Sequence, residues 1–216
     1  RIFMGYLARV KTVSTRQFET ATVLLNARCS FSPTETLAAY GYLQDQPNAI
    51  SPTAFASAAP GNSSNRISGL RLDGTRPLNE HWKFIYTGEV ARQRPYSGGN
   101  STIDTDYRRI GVGGQWRDNF LRVDQELLGS NQGDYAFQFP LATNHLFQGW
   151  ADQFLVTPRQ GIVDLFYTAS AKIEKLQLLA EYHHFNSDVG NIEFGQEFDA
   201  SVAYALTPQL MGKIEY

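Results

Sequence analysis

The chain has 216 residues, a formal net charge of -2 and an isoelectric point near 6.1, so it lacks the basic surplus that nucleic-acid binding needs. Its mean hydropathy of -0.33 and 19% charged residues resemble those of a soluble protein, yet a membrane barrel with polar lumenal positions averages the same way. No run of about 18–20 apolar residues exists, which excludes a spanning helix, and the single Cys29 excludes an internal disulfide.

Taken in chain order, the sequence predicts strands over Ile2–Val13, Thr20–Phe31, Thr36–Asp45, Arg66–Leu78, Trp82–Gln93, Asp106–Trp116, Phe120–Gly129, Ile162–Ile173, Leu176–Phe185, Phe194–Leu206 and Gln209–Tyr216. Gly, Pro, Asn, Asp or Ser bounds each run, and these are the residues that turn a backbone. Most runs reach about ten residues or slightly more, roughly twice the usual strand length in soluble proteins. About ten tilted residues is what a bilayer core demands.

Within the runs the side chains alternate in character, as a pleated strand requires when one face is apolar and the other polar. Trp82, Phe84, Tyr86, Gly88 and Val90 alternate with Lys83, Ile85, Thr87, Glu89 and Ala91. Leu121, Val123 and Leu127 oppose Arg122, Asp124 and Glu126, with Gln125 an exception on the apolar side. Phe198, Ala200, Val202 and Tyr204 oppose Glu197, Asp199, Ser201 and Ala203, and Leu165, Tyr167, Ala169 and Ala171 oppose Asp164, Thr168, Ser170 and Lys172. Periodicity alone does not say which face points inward.

The connections are sorted by length. Short ones fall at Ser32–Glu35, Asn79–His81, Arg117–Asn119, Glu174–Lys175 and Thr207–Pro208, and long ones at Gln46–Asn65, Arg94–Thr105, Gly133–Gln160 and Asn186–Ile192. A barrel threaded through an outer membrane has this asymmetry, with short periplasmic turns and long outer loops. Aromatic residues sit at the strand ends. Phe31, Trp82, Trp116, Phe120 and Tyr204 lie toward the short turns and Tyr107, Phe185 and Phe194 toward the long loops, as interfacial girdles would. Trp82, Trp116, Phe120 and Tyr204 are the girdle candidates.

The longest loop, Gly133–Gln160, is rich in Phe and carries Trp150, a composition that argues against disorder. Leu146, Phe147, Trp150, Phe154 and Leu155 recur at helical spacing, which predicts one or two helical turns. Two readings stand: a loop folded into the lumen that constricts it through Phe137, Phe139, His145, Phe147, Trp150, Asp152 and Phe154, or a plug packed on the wall. The segments YAFQFPLATNHLFQGWADQFLVTP (Tyr135–Pro158) and GIVDLFY (Gly161–Tyr167) resemble the signature region of the alginate-export family of bacterial outer-membrane proteins. Further matches are LRLDGTRPL (Leu70–Leu78), WKFIYTGEVARQ (Trp82–Gln93), LLGS (Leu127–Ser130), LLAEYHHF (Leu178–Phe185) and FGQEFDASVAY (Phe194–Tyr204). The resemblance runs from about Ser68 to the end and implies a monomeric barrel that passes a polyanionic or other small polar solute.

The alternation assigns Arg71, Asp73, Lys83, Glu89, Arg109, Arg122, Asp124, Glu126, Asp164, Lys172, Glu181, His183, Glu197 and Asp199 to the lumenal face. Adding Lys213 and Glu215, carboxylates outnumber basic groups there, so no anion-selective field is expected. A local basic strip of Arg71, Arg109 and Arg122 is the alternative, and cross-strand ion pairing the simpler account. The sequence has no G-x-S-x-G elbow, Walker loop, Cys-pair zinc pattern or H-E-x-x-H. His183 and His184 are adjacent and face opposite sides of one strand.

The expectation is an all-β, antiparallel transmembrane barrel forming one domain over 1–216, with 133–160 folded into or over the lumen. An odd strand count predicts a longer polypeptide, closing at about 16–18 strands. The expected role is an integral outer-membrane, porin-like channel for small polar or anionic solutes or saccharides. Lipid and lipopolysaccharide would be its surroundings, and no catalytic residues, metal, cofactor or nucleic-acid partner is expected. A sleeve for a protein partner and a soluble carbohydrate-binding sandwich are the alternatives.

Overall fold

The computed structural model describes residues 1–11, 17–46, 62–139, 148–207 and 209–216. Strands β1 (Ile2–Lys11), β2 (Gln17–Ser32), β3 (Glu35–Asp45), β4 (Asn65–Pro77), β5 (Trp82–Pro95), β6 (Thr105–Trp116) and β7 (Asn119–Leu128) follow one another as antiparallel neighbours. A small hairpin, β8 (Ser130–Asn131) with β9 (Tyr135–Ala136), then interrupts the meander. The main sheet resumes with β10 (Ile162–Ile173) beside β7, then β11 (Leu176–Asn186), β12 (Glu193–Thr207) and β13 (Leu210–Glu215). Among the described residues the main sheet thus has 11 strands in sequence order. Every expected strand is present with ends moved by a few residues; Val13 lies outside the described residues.

Consecutive pairing follows from the tight turns. Arg117 and Glu174 adopt positive φ of 53° and 54°, the left-handed backbone that reverses a twisted pair in two residues. The ladder pairs every interior strand of the main sheet on both sides, a necessity where no water can satisfy the backbone, while β1 and β13 at its edges are paired on one side among the described residues.

The sheet's two faces differ sharply. One carries the buried residues of the strands, among them Gln93, Tyr107, Asp124, Glu126, Asp164, Phe166, His183 and Asp199. The other exposes Leu70, Val90, Ile110, Val112, Leu121, Tyr167, Phe198 and Val202. Large apolar side chains stand outward and charges lie under cover, the inverse of a water-soluble sheet. Cys29 is exposed on the open face, paired with Leu37.

Two glycines keep the covered face close-packed. A Cβ on Gly69 would stand 2.3 Å from the Tyr40 ring, which lies across the bare backbone. One on Gly111 would stand 2.0 Å from Asp124 Oδ1 and 2.3 Å from Arg122 Nη2. Gly111 is therefore the gap into which the central ion cluster settles.

The loop between β7 and β10 lies back on the covered face. Phe137 is buried with Tyr107, Leu128, Ile162 and Phe185, and Phe139 and Phe154 pack against that cluster. Residues 148–155 form bends and turns, not the helical turn expected there, and Leu146 falls outside the described residues. Wall contacts hold this stretch: of its periodic residues, Trp150 and Phe154 meet the wall, whereas Leu155 is exposed.

Candidate functional site: the loop-walled cavity

Register brings the charged residues of separate strands into rows. Arg71, Glu89, Arg109, Glu126 and Asp164 are successive cross-strand partners. The next row toward the short turns runs Asp73, Thr87, Gly111, Asp124, Phe166, His183 and Glu197. Directly opposed side chains sit about 5 Å apart, so opposite charges in a row pair without reaching.

Each arginine of the supposed basic strip is committed. Arg71 donates to Asp73 through Nε (2.8 Å) and to Glu89 through Nη1 (3.2 Å). Arg109 Nε donates to Asp124 Oδ1 at 3.0 Å, and Arg122 grips both oxygens of the same carboxylate through Nε and Nη2. The Asp124 side chain is fully buried, while the two guanidiniums keep 17% and 19% exposure. Arg109 also lies over the Phe166 ring, 5.2 Å from its centroid. Neighbouring acceptors therefore neutralise the basic groups.

Glu126 and Asp164 face each other as like charges, and each has its own compensation. Glu126 accepts from the Tyr107 hydroxyl at 2.5 Å and from Gln148 Nε2 at 2.7 Å. Asp164 Oδ2 lies 2.8 Å from His183 Nδ1, and the imidazole is stacked between Phe166 (4.9 Å) and Phe185 (5.3 Å). The Asp164 contact holds Nδ1, so Nε2 is free to meet something else.

The remaining carboxylates take hold of the loop. Trp150 donates through its indole Nε1 to Glu181 (2.8 Å) and through its backbone N–H to Asp199 (3.4 Å), and the Ala151 N–H donates to Glu197 (2.8 Å). With Gln148 on Glu126, four wall carboxylates anchor the stretch Gln148–Ala151. A second anchor is amide-based: Gln93, fully buried, accepts from the Gln138 N–H at 3.0 Å, and Gln138 bridges onward to both the N–H and the carbonyl of Thr157. In the hairpin, burial pushes the Tyr135 hydroxyl above its usual range.

Between wall and loop lies a cavity of 260 Å³, lined by Arg109, Arg122, Asp124, Glu126, Glu181 and His183 together with Phe120, Phe166, Ile85, Thr168, Gln148, Gly149 and Trp150. His183 lines this cavity, and its Nε2 is buried without a hydrogen-bond partner among the described residues. The cavity's polar lining can accept a small polar group, flanked by the Phe166 and Trp150 rings.

All fourteen residues assigned to one face by alternation share it, and Lys83 and Lys172 stand at its short-turn edge, apart from the cavity. Of the loop residues, Trp150 reaches the cavity, Phe137, Phe139 and Phe154 seat the loop, and Asp152 holds a positive φ of 54°. His145 and Phe147 lie outside the described residues.

Several aromatic assignments need correction. Phe120 is not a girdle residue: it shares the face of Arg122 and Asp124 and lines the cavity, as its even position already required. Tyr107 and Phe185 are 2% and 3% exposed beneath the loop, and Phe194 packs on Phe154 at 5.7 Å. An aromatic at a strand end can face either side, and here the returning loop needs an apolar seat. Trp82 and Trp116 are cross-strand partners on the open face and, like Tyr204, are exposed. Sequence reasoning missed Phe166, Thr168, Gln93 and Gln148. The first two shared the parity of Asp164, whereas nothing local marks the glutamines.

No family model matches the chain, and no curated protein matches it. Solved structures do. OpdL of Pseudomonas aeruginosa superposes with a TM-score of 0.58 at 12% identity over 99% of this chain and 58% of that one. OccAB2 of Acinetobacter baumannii gives 0.60 at 12% over 93% and 50%, and OpdQ of P. aeruginosa 0.59 at 13% over 99% and 56%. The chain spans about half the length of these structures. They are outer-membrane β-barrel porins, and the fold of this chain is that of a porin-type antiparallel β-barrel wall.

Proposed function

We propose that the chain forms the wall and the folded-in loop of a channel in a bacterial outer membrane, passing small polar solutes without catalysis. The observation that carries the reading is the clamp of Glu126, Glu181, Glu197 and Asp199 on Gln148–Ala151. It sets a loop against the polar face and leaves His183, Trp150 and Phe166 lining the remaining space. The exposed apolar side chains of the opposite face would meet lipid. The likeness to OpdL, OccAB2 and OpdQ supports a channel of this general kind.

The narrower resemblance, to alginate exporters, has no matching family model behind it. It also calls for a free basic path, whereas Arg71, Arg109 and Arg122 are all paired with carboxylates. Uncharged polar solutes, among them saccharides, suit the paired wall better than a polyanion. The test is conductance of purified protein in planar bilayers. Discrete openings are expected, enlarged or made unsteady by Trp150→Ala, which removes the side chain bonded to Glu181. Absence of any conductance at all voltages would refute the channel and favour a sleeve.

A further inference from the structure

On the open, apolar face the arginines are not scattered. Arg66, Arg92 and Arg108 stand exposed on three neighbouring strands. Ser68 partners Arg92, and Val90 partners Arg108, so the three form a diagonal that steps two residues per strand toward the short turns. Strands in a barrel are staggered, and a line of constant membrane depth therefore crosses the ladder diagonally. The stagger has this sense between β3 and β4 and between β11 and β12, where Glu35 and Leu176, each beside its own turn, pair with Gly74 and Tyr204, which lie short of theirs; between β5 and β6, Trp82 and Trp116 pair directly, each beside its own turn.

The depth of the diagonal can be worked out along β5. Trp82 marks the short-turn end of the apolar face, and Arg92 follows it ten residues later on the same face. At ~3.3 Å per residue this is ~33 Å of strand, or ~25 Å along the membrane normal at a tilt of ~40°, the height of an apolar band. Arg92 thus stands where the band ends on the long-loop side, with Arg108, on the neighbouring strand, slightly deeper. Beside Arg92 and Arg108, which line it, is a groove of 560 Å³ whose other lining residues include Ala39, Ser68, Leu70, Val90 and Asp106; Arg66 stands outside this lining.

The local carboxylates do not neutralise this line. Arg92 pairs with Asp106 at 3.3 Å, but Asp106 and Asp104 also serve the largely buried Arg94. Arg66 and Arg108 have no ion pair among the described residues, and the sequence over 47–61 contains no acidic residue that could supply one. A cationic line beside this groove, at headgroup depth, matches an acylated phosphate.

We propose that Arg66, Arg92 and Arg108 bind the phosphate of an outer-leaflet lipid A, with an acyl chain in the Leu70–Val90 groove. This rests on the open face meeting lipid, as the channel reading requires. Guanidinium groups hold phosphate through charge-assisted, paired N–H donors. The partner is the lipid, not a free anion, because the groove that Arg92 and Arg108 border offers Ala39, Leu70 and Val90 to an acyl chain.

The test uses the full chain in detergent micelles, with retention of diphosphoryl lipid A read by native mass spectrometry. The wild-type protein should hold diphosphoryl lipid A in preference to its dephosphorylated form, and excess inorganic phosphate should not displace it. The Arg92→Gln/Arg108→Gln protein should bind about tenfold more weakly or worse, since a hydrogen bond to a charged group carries that weight. Arg92→Lys/Arg108→Lys should recover part of the loss, and Arg76→Gln, on the same face near the other rim, should change nothing. Equal retention by the double Gln variant, equal retention of the dephosphorylated lipid, or displacement by inorganic phosphate would overturn the site. Insertion into phospholipid vesicles is scored separately. Failure to insert removes the membrane reading and this site together, whereas insertion with unchanged lipid A binding by the variant removes the site alone.

Discussion

Asp124→Asn is the most searching single change in the wall. The carboxylate is fully buried, receives two donors from Arg122 and one from Arg109, and settles above Gly111. Asn keeps the size and one acceptor but removes the charge, leaving two guanidiniums at 17% and 19% exposure without their counter-ion. Breaking a buried pair from one side costs about 3–5 kcal/mol. The surviving acceptor and the residual solvation of both arginines place this case at the lower end, about 3 kcal/mol. Reversible urea unfolding in lipid vesicles, followed by tryptophan emission, measures it. A double-mutant cycle with Arg122→Gln should show that the two losses do not add, because the second change removes one of the stranded charges. A loss below about 1 kcal/mol for Asp124→Asn, or strict additivity, would mean that water or another acceptor compensates the arginines and that the cluster is not the organising pair of this wall.

Two further expectations bear on which face meets lipid and which meets the loop. In single-tryptophan variants reconstituted with brominated lipid, Trp82 and Trp116 should be strongly quenched and Trp150 should not, since only the first two stand on the open face; quenching of Trp150 would place the loop outside the wall. Cys29 should react in vesicles with a membrane-soluble maleimide and resist a charged, impermeant one, because it is exposed beside Leu37 on the apolar side; the opposite order of reactivity would reverse the faces.

The alternation of Asp164, Thr168 and Ser170 against Leu165, Tyr167 and Ala169 depends only on the pleat, which sends successive side chains to opposite faces whatever the partner strand. The face of each charged candidate was legible from that local rule, and strand number, strand length and the sorting of turns from the turn-forming residues that bound each run. Phe120 shows that the rule outranks composition: an aromatic beside a short turn looks like a girdle residue, but its parity with Arg122 puts it in the cavity. What the chain does not display locally is register and the return path of its longest loop. That Asp124 serves two arginines depends on β6 and β7 aligning Gly111 with it. That Glu126, Glu181, Glu197 and Asp199 hold Gln148–Ala151, and that Gln93 meets Gln138, depends on contacts between residues 20 to 50 positions apart. Those pairings arise when the assembled sheet offers buried and half-buried carboxylates that need donors and the loop supplies them, a condition that exists only in the folded molecule.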